Sequence, residues 1–516
     1  MWKKLWKTTA VVSLLTFLSR ILGFVRDMLA ASLFGASGAY DAFLIAFKIP
    51  NLMRRLFAEG AFSQAFVPVL AQVHGEHAPE SEKRFISHVG GCLLSILIVL
   101  VLLGMWGAPW IIHLFAPGFQ ADGRAGVATD LLRITFPYIA FISMAAFYSG
   151  ILNIYNRFAV PAFTPVLLNV AMIGAMLFLG SRLDVPVQSL AIGAIIGGAL
   201  QFFFLLPSLH RLDRLPIPIP DWRDPKVRQV LTLMGPAVLG ASVIQINMLI
   251  DAIFASFLPT GSITWLYYAE RMMEFPMGVF GIAITTVTLP YLAKQYAKKD
   301  HTAFHNALDW GFQSVLIVGL PASLGLYYLS GPILVSLFQY GAFSPADVLN
   351  TQLALSALSL ALLAYLATKL FVSAYYAMHD TKYPVKVACV ALLINVVGSL
   401  ALIGPLKHQG LALASTFSAF TNASLLIVTL IRRQQYRLPP FFWPFLLKLV
   451  LATGVMLLAL SLVTPSIDVW LAWSVFYRFG CLSGLIGLAC VVYLAVLYGL
   501  GMGHLIRQAA QRMPNE

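Results

Sequence analysis

The sequence predicts an all-α polytopic membrane protein, and three observations carry that expectation. Of its 516 residues, 59% are hydrophobic and only 11% are charged, against about 25% charged in an ordinary soluble protein. Fourteen apolar runs long enough to cross a bilayer follow one another, near 8–34, 41–72, 86–116, 127–154, 160–180, 186–207, 228–257, 262–294, 304–330, 347–377, 383–404, 410–431, 441–464 and 471–501; about 20 helical residues suffice for one crossing. The cations fall in alternate loops: KKLWK, EKR, Arg157, HRLDRLPIPIPDWRDPKVR, KQYAKK, DTKYPVK, IRRQQYR and HLIRQAAQR lie on one side, whereas the other side holds only Arg124, Arg182 and Lys407. Basic loops mark the cytoplasmic side, so both termini are expected there, as an even count requires.

The net charge of +13 is therefore a topological signal and gives no reason to expect nucleic acid. Cys92, Cys389, Cys481 and Cys490 lie in apolar runs without CxxC spacing and read as small packing residues rather than metal ligands or disulfides. MWKKLWK followed by VVSLLTFL has the outline of a signal peptide, but Arg20 interrupts its apolar core and no clear cleavage site follows. An uncleaved first helix is expected.

The first twelve runs form two related halves. KIPNL (48–52) matches MEFPM (273–277), FVPVLAQ (66–72) matches TLPYLAK (288–294), and APGF (116–119) matches the LFQYGAF segment (337–343). Asp27-x-x-x-Ala31-Ser32 matches Asp251-x-x-x-Ala255-Ser256, and all four matches share an offset of about 222–226 residues. Six helices is an even number, so the halves run in parallel, as in several transporter folds. The expected organisation is a lobe over 1–210, a linker over 211–225, a second lobe over 226–436 and two appended helices with a tail over 437–516.

Ionisable groups inside the runs concentrate on matching helices of the two halves. Runs one and two carry Arg20, Arg26, Asp27, Asp41, Lys48, Arg54, Arg55 and Glu59; runs seven and eight carry Asp251, Glu270, Arg271 and Glu274; run ten adds Lys369. Such a charge at the bilayer centre costs about 2.5–3.5 kcal/mol or more. Arg20 lies roughly 18 Å into its helix from Thr8, too deep to snorkel, so it must face protein, water or a ligand. Arg20 and Asp27, seven apart, share a helix face, which makes Asp27 a candidate structural partner of Arg20. Glu59 pairs with Arg55 on the same logic, and Glu270 and Glu274 share a face beside Arg271. Pro50 and Gly60 in run two, and Pro276, Gly278 and Gly281 in run eight, are expected to break their helices and act as hinges. Arg133 and Arg478, isolated near helix ends, read as snorkelling side chains.

Guanidinium forks in a wet cavity suit paired phosphate oxygens, so the residues point to transport of an anion such as a phosphate ester. GxxxxGK[ST], HExxH and GxSxG are all missing, and no nucleophile with base and orienting group is visible. That weighs against an ATP-driven pump and against a membrane-embedded transferase, and no cofactor or metal is expected.

SRILGFVRD (19–27), GAYDAFLIAFKIPNLMRRLFAEGAFSQAFVPVLAQ (38–72), ILNIYNRFAVPAFTPVLLN (151–169), YYAERMMEFPMGVFGIA (267–283) and SLFQYGAF (336–343) together resemble the MurJ (MviN) family of bacterial lipid II flippases. The resemblance spans nearly the whole chain. It places the protein in the superfamily that also contains multidrug exporters and polysaccharide-unit flippases. It implies two six-helix lobes around a central cavity plus two helices forming a lipid-side groove, in the bacterial inner membrane. The implied cargo is undecaprenyl-pyrophosphate bearing a disaccharide-pentapeptide, moved to the outer leaflet for peptidoglycan synthesis. By motif match, the family's cavity arginines fall on Arg20, Arg26 and Arg271, its gate aspartate on Asp41, and a further implicated segment on Arg54, Arg55 and Glu59. Glutamate stands at 270, where aspartate would also fit the pattern, which leaves the role of Glu270 open. The mechanism expected is alternating access, with the arginines holding diphosphate and Asp41 closing a gate against a cation, Arg26 being the expected one. Membrane potential, or Na⁺ or H⁺ at Asp251, Glu270 or Glu274, are the candidate energy sources. The alternatives are a flippase for another polyprenyl-linked saccharide and a cation-coupled drug exporter. Cell-wall synthesis proteins are candidate partners beside the membrane lipids.

Overall fold

The computed structural model describes residues 2–54, 62–76 and 79–502, with side chains described there except at 2–8, 236–244, 282–284 and 287. Every described element is helical. In chain order these are α1 (Trp2–Phe34), α2 (Gly38–Met53), α3 (Phe62–Gly75), α4 (Pro79–Trp106), α5 (Ala108–Phe115), α6 (Arg124–Thr135), α7 (Tyr138–Ile154), α8 (Ala159–Leu179) and α9 (Gln188–Arg211). Then follow α10 (Pro225–Ser256), α11 (Ser262–Ala297), α12 (His301–Tyr328), α13 (Ser330–Phe338), α14 (Pro345–Ala377), α15 (Lys382–Arg432), α16 (Phe442–Val463), α17 (Ile467–Ala472) and α18 (Val475–Leu497). Ten helices among the described residues are long and apolar enough to cross a bilayer. α10 and α11, at 32 and 36 residues, are equally long.

The internal repeat is written in the helix ends. α1 ends at Phe34 and α10 at Ser256; α4 begins at Pro79 and α12 at His301; α7 ends at Ile154 and α14 at Ala377; α8 begins at Ala159 and α15 at Lys382. These pairs are 222 or 223 residues apart. The turns after α7 and α14 even share a left-handed residue, Asn156 at φ 58° and His379 at φ 60°, which closes the helix as a left-handed C-terminal residue does.

α15 shows how two sequence runs become one element by name only. Fifty-one helical residues would reach roughly 76 Å at 1.5 Å each, more than twice a hydrocarbon core of about 30 Å. The chain doubles back at Lys407, where φ is 49° and ψ is −128°. Asn395 Nδ2 then donates to Ser415 Oγ at 3.2 Å and Ser418 Oγ to the Ala391 carbonyl at 2.6 Å. Gly410 makes the turn tight, since a Cβ there would meet the Leu402 carbonyl oxygen at 2.4 Å.

The expected break in the eighth run is absent. α11 passes without interruption through Pro276, Gly278 and Gly281. Pro276 deprives the Met272 carbonyl of its usual donor, but the turns on either side hold. Gly281 serves packing instead: a Cβ there would lie 3.0 Å from Lys369 Nζ on α14. In the second run, Pro50 lies inside α2, while Arg55, Glu59 and Gly60 fall outside the described residues.

The chain forms two compact units, Met1–Ile263 and Thr264–Glu516. α10, the first helix of the second sequence repeat, is thus part of the first unit. Its repeat mate α1 packs on α8, whereas α10 packs on α3, α4 and α5. Both ends of α10 are fastened. At its start, the N-cap Asp224 meets His88 Nδ1 at 2.8 Å, and Lys226 meets Glu76 at 2.7 Å. At its finish, Ser256 Oγ accepts from the Gly118 N–H at 3.1 Å. Burial raises the Asp224 carboxyl, but the hydrogen bond from His88 and two backbone N–H groups outweigh it and hold the group below its ordinary range.

In the second unit, α16 and α18 are joined to α12 by an apolar seam that includes Leu316, Phe445, Leu449, Met456 and Leu497. Tyr493 closes the seam by donating to the Ile317 carbonyl at 2.7 Å. Arg478 does not snorkel. Its side chain is buried and donates to the carbonyls of Trp470, Leu471, Val335 and Gln339, so it satisfies the C-terminal carbonyls of α13 and α17.

Candidate functional site

The SRILGFVRD segment forms the middle of α1. Arg20 is exposed and Asp27 is 1% exposed. Arg26, half-buried, places Nε and Nη2 3.0 and 2.6 Å from Asp27 Oδ1 and Nη1 3.2 Å from Asn169 Oδ1 on α8. Asn169 is fixed in turn by donating to the Ser19 carbonyl at 3.1 Å. The partner expected of Asp27 was Arg20; the structure gives it Arg26, the adjacent residue. The reason is reach, since the Arg26 guanidinium can curl back along its own helix onto the next residue, while Arg20 is exposed. Asn169 carried no sequence signal beyond a polar residue in an apolar run.

Asp41, at 0% exposure, lies in the first turn of α2. The cation it meets is Arg124, at 3.1 Å, rather than the expected Arg26. Its Oδ2 also accepts from the Gly261 N–H at 2.7 Å. Arg124 spends its other donors on Asp122 Oδ2 at 2.6 Å and on the carbonyls of Ser256 and Leu258 at 3.3 and 3.2 Å. Its plane lies 4.2 Å from the centre of the Phe119 ring, a cation–π contact. One guanidinium thus ties the start of α2, the start of α6 and the end of α10. The 3-10 turn Pro117–Gln120 completes the seat, because Gly118 lets it approach the α10 terminus: a Cβ there would lie 2.3 Å from the Ser256 carbonyl oxygen. Sequence reasoning placed Arg124 in a loop and assigned it no partner. Its signal, an isolated cation among loops nearly free of them, was present.

In the second unit, Arg271 Nη1 meets Glu274 at 3.1 Å, with side-chain exposures of 29% and 46%. Glu270 is exposed and Asp251, on α10, is half-buried. Arg54 ends α2 with its Nε 2.9 Å from Asn51 Oδ1, and Lys48 is half-buried one turn before Leu52. A further polar cluster, not foreseen, forms around one carboxylate of the first unit: buried Glu82 accepts from Tyr155 Oη at 2.6 Å and faces His74 and Arg214 at 3.2 and 3.7 Å. Burial, and then Glu82 itself, push the Tyr155 phenol up to about 12.

Among the described residues, Arg26, Arg124 and Arg271 are thus each held by a carboxylate. A guanidinium held in this way can exchange its carboxylate for another anion of similar bite, and these pairs contain no activated nucleophile with a general base set against it. Fold and site define a multi-pass membrane transporter. The lipid II flippase MurJ family matches the chain over residues 30–479. A probable lipid II flippase MurJ of Vibrio cholerae is 42% identical over 97% of both chains. A probable lipid II flippase MurJ of Haemophilus influenzae is 42% identical over 95% of this chain and 98% of its own, and the lipid II flippase MurJ of Burkholderia cenocepacia is 39% identical over 86% and 87%. A solved structure described as lipid II flippase MurJ in an inward closed conformation superposes with a TM-score of 0.80 at 30% identity, covering 94% of this chain and 98% of that one. An inward-facing multidrug transporter of the MATE family shares the fold alone, with a TM-score of 0.64 at 13% identity over 82% of this chain and 97% of that one. The chain belongs to the MurJ family of lipid II flippases, as a multi-pass protein of the bacterial inner membrane.

Proposed function

We propose that this chain carries lipid II from the cytoplasmic to the outer leaflet, with Arg20, Arg26 and Arg271 as the diphosphate ligands. The observation that carries the reading is the carboxylate each of two arginines now holds: Asp27 on Arg26 and Glu274 on Arg271. An empty site keeps its guanidinium neutralised, and an arriving diphosphate displaces a carboxylate of similar bite. Glu274, nearly half exposed, swings aside at little expense. The full proposal has fourteen crossings, two six-helix lobes over 1–210 and 226–436 about a central cavity, a linker over 211–225, and appended helices over 437–516 against which the polyprenyl tail rests. Both termini are cytoplasmic. The Asp41–Arg124 junction closes the outer side, Arg54, Arg55 and Glu59 extend the charged path, and Asp251, Glu270 and Glu274 are where a coupling cation would bind. Membrane potential, worth about 2.3 kcal/mol per charge at 100 mV, supplements or replaces that cation. Cell-wall synthesis proteins would receive the cargo.

Arg271→Ala tests the ligand role in a strain depleted of its own flippase. The expected result is loss of growth support at a normal membrane level of the variant; normal growth overturns it. A reconstituted flipping assay comparing lipid II with another polyprenyl-linked saccharide tests the cargo, and equal rates for the two would overturn the assignment to lipid II.

A further inference from the structure

The seam where α10 lies against α4 is not fully packed. A cavity of about 160 Å³ remains, lined among others by Val89, Cys92 and Leu93 of α4, Ser143 of α7 and Val230 and Leu231 of α10. Ser143 is 2% exposed and its Oγ has no hydrogen-bond partner. Water does not suit such a space, because a buried water needs two to four polar partners, and an apolar cavity of about 150 Å³ stays dry and takes up a hydrocarbon guest. An empty void would forfeit dispersion contacts along its whole lining.

The cavity is continuous with the outer face of α4. Ile96, which lines it, is 42% exposed and begins a stripe with Val99 at 55% and Leu103 at 59%, spaced three and four apart on one helix face. Leu231 is 37% exposed on the α10 side. α4 carries no Asp, Glu, Lys, Arg or His from Val89 to Trp106, as a face turned to hydrocarbon requires.

We infer that this cavity is a lipid site, occupied by the acyl chain of a membrane phospholipid that enters beside Ile96 and completes the packing of α10 on α4. No arginine lines the cavity. Its consequence is structural: polar contacts fasten both ends of α10, and the acyl chain adds apolar contact on the side that faces α4.

The test uses the full chain in nanodiscs containing phosphatidylcholine with a diazirine at the acyl terminus. After irradiation, adducts are mapped by mass spectrometry. Adducts are expected within 89–100 and 227–234 as well as on the exposed face of α16 around Leu458 and Leu462. Val230→Trp fills the cavity and should abolish the adducts at the seam while those on α16 persist; Val230→Met is the milder filling variant should the first not give a monodisperse protein. Seam adducts that survive filling, or that never form in the wild type, overturn the site. So does labelling of the seam by a diazirine-bearing polyprenyl phosphate with none from the phospholipid.

Discussion

At the scale of single residues, the junction around Arg124 is the sharpest departure from sequence reasoning. Asp41 and Arg124 are 83 positions apart, and nothing local in either segment announces the other. Arg26, the cation expected at Asp41, holds its own neighbour Asp27 and reaches Asn169 of α8. Which residues carry charge within the membrane was legible, because an intramembrane charge must have a reason. The pairing was not, because it depends on which helix ends meet. Breaking a buried pair by removing one partner costs about 3–5 kcal/mol. Asp41→Asn and Arg124→Gln should each lower thermal stability by that order, and the double variant should lose much less than the sum. Additive losses in a double-mutant cycle would show that the two do not interact. The hydrogen bond from Arg124 holds the Asp122 carboxyl below its ordinary range. A depressed carboxyl contributes stability that is present above its unfolded pKa and lost only as pH falls through the folded one. The Asp122 arm of the junction should therefore behave alike from about pH 8 to about pH 5, and a midpoint of loss near neutrality would contradict it.

At the scale of elements, helix existence was legible and helix continuity less so. Prolines and glycines in the eighth run suggested a break, yet α11 is continuous; an apolar surround leaves the backbone no better partner than its own helix. The turn at Lys407 went the other way, separating two runs that the backbone hydrogen bonds nearly merge. The seating of α10 can be tested at one glycine. Gly118→Ala would place a methyl against the Ser256 carbonyl, and an insertion of this kind costs about 1–3 kcal/mol. Gly126→Ala is the matched control: it is exposed on α6 with nothing within 4 Å of the added carbon, so a gain of about 0.5–1 kcal/mol is expected. Thermal denaturation of the two variants side by side decides it, since equal stability at 118 and 126 would mean that the close approach to α10 does not matter.

At the scale of the whole molecule, the repeat was legible because helix ends are set by local chain chemistry, and the same turns recur 222 or 223 residues later. The attachment of α10 to the first unit was not, because it follows from long-range contacts: Asp224 with His88, Lys226 with Glu76 and Ser256 with Gly118. The fourteen-crossing topology makes the most exacting prediction. If α15 is two crossings joined at Lys407, then Lys407 and Arg182 face the outside while Arg223 and Lys299 face the cytoplasm. All four are exposed and so tolerate cysteine. In a background with Cys389 and Cys490, the two exposed native cysteines, replaced by serine, a membrane-impermeant maleimide added to intact cells should label Arg182→Cys and Lys407→Cys. Arg223→Cys and Lys299→Cys should react only after the membrane is opened. Labelling of Lys407→Cys only after opening, alongside Lys299→Cys, would remove one hairpin, that is two crossings, from the membrane and overturn the fourteen-crossing topology while leaving the termini where they are.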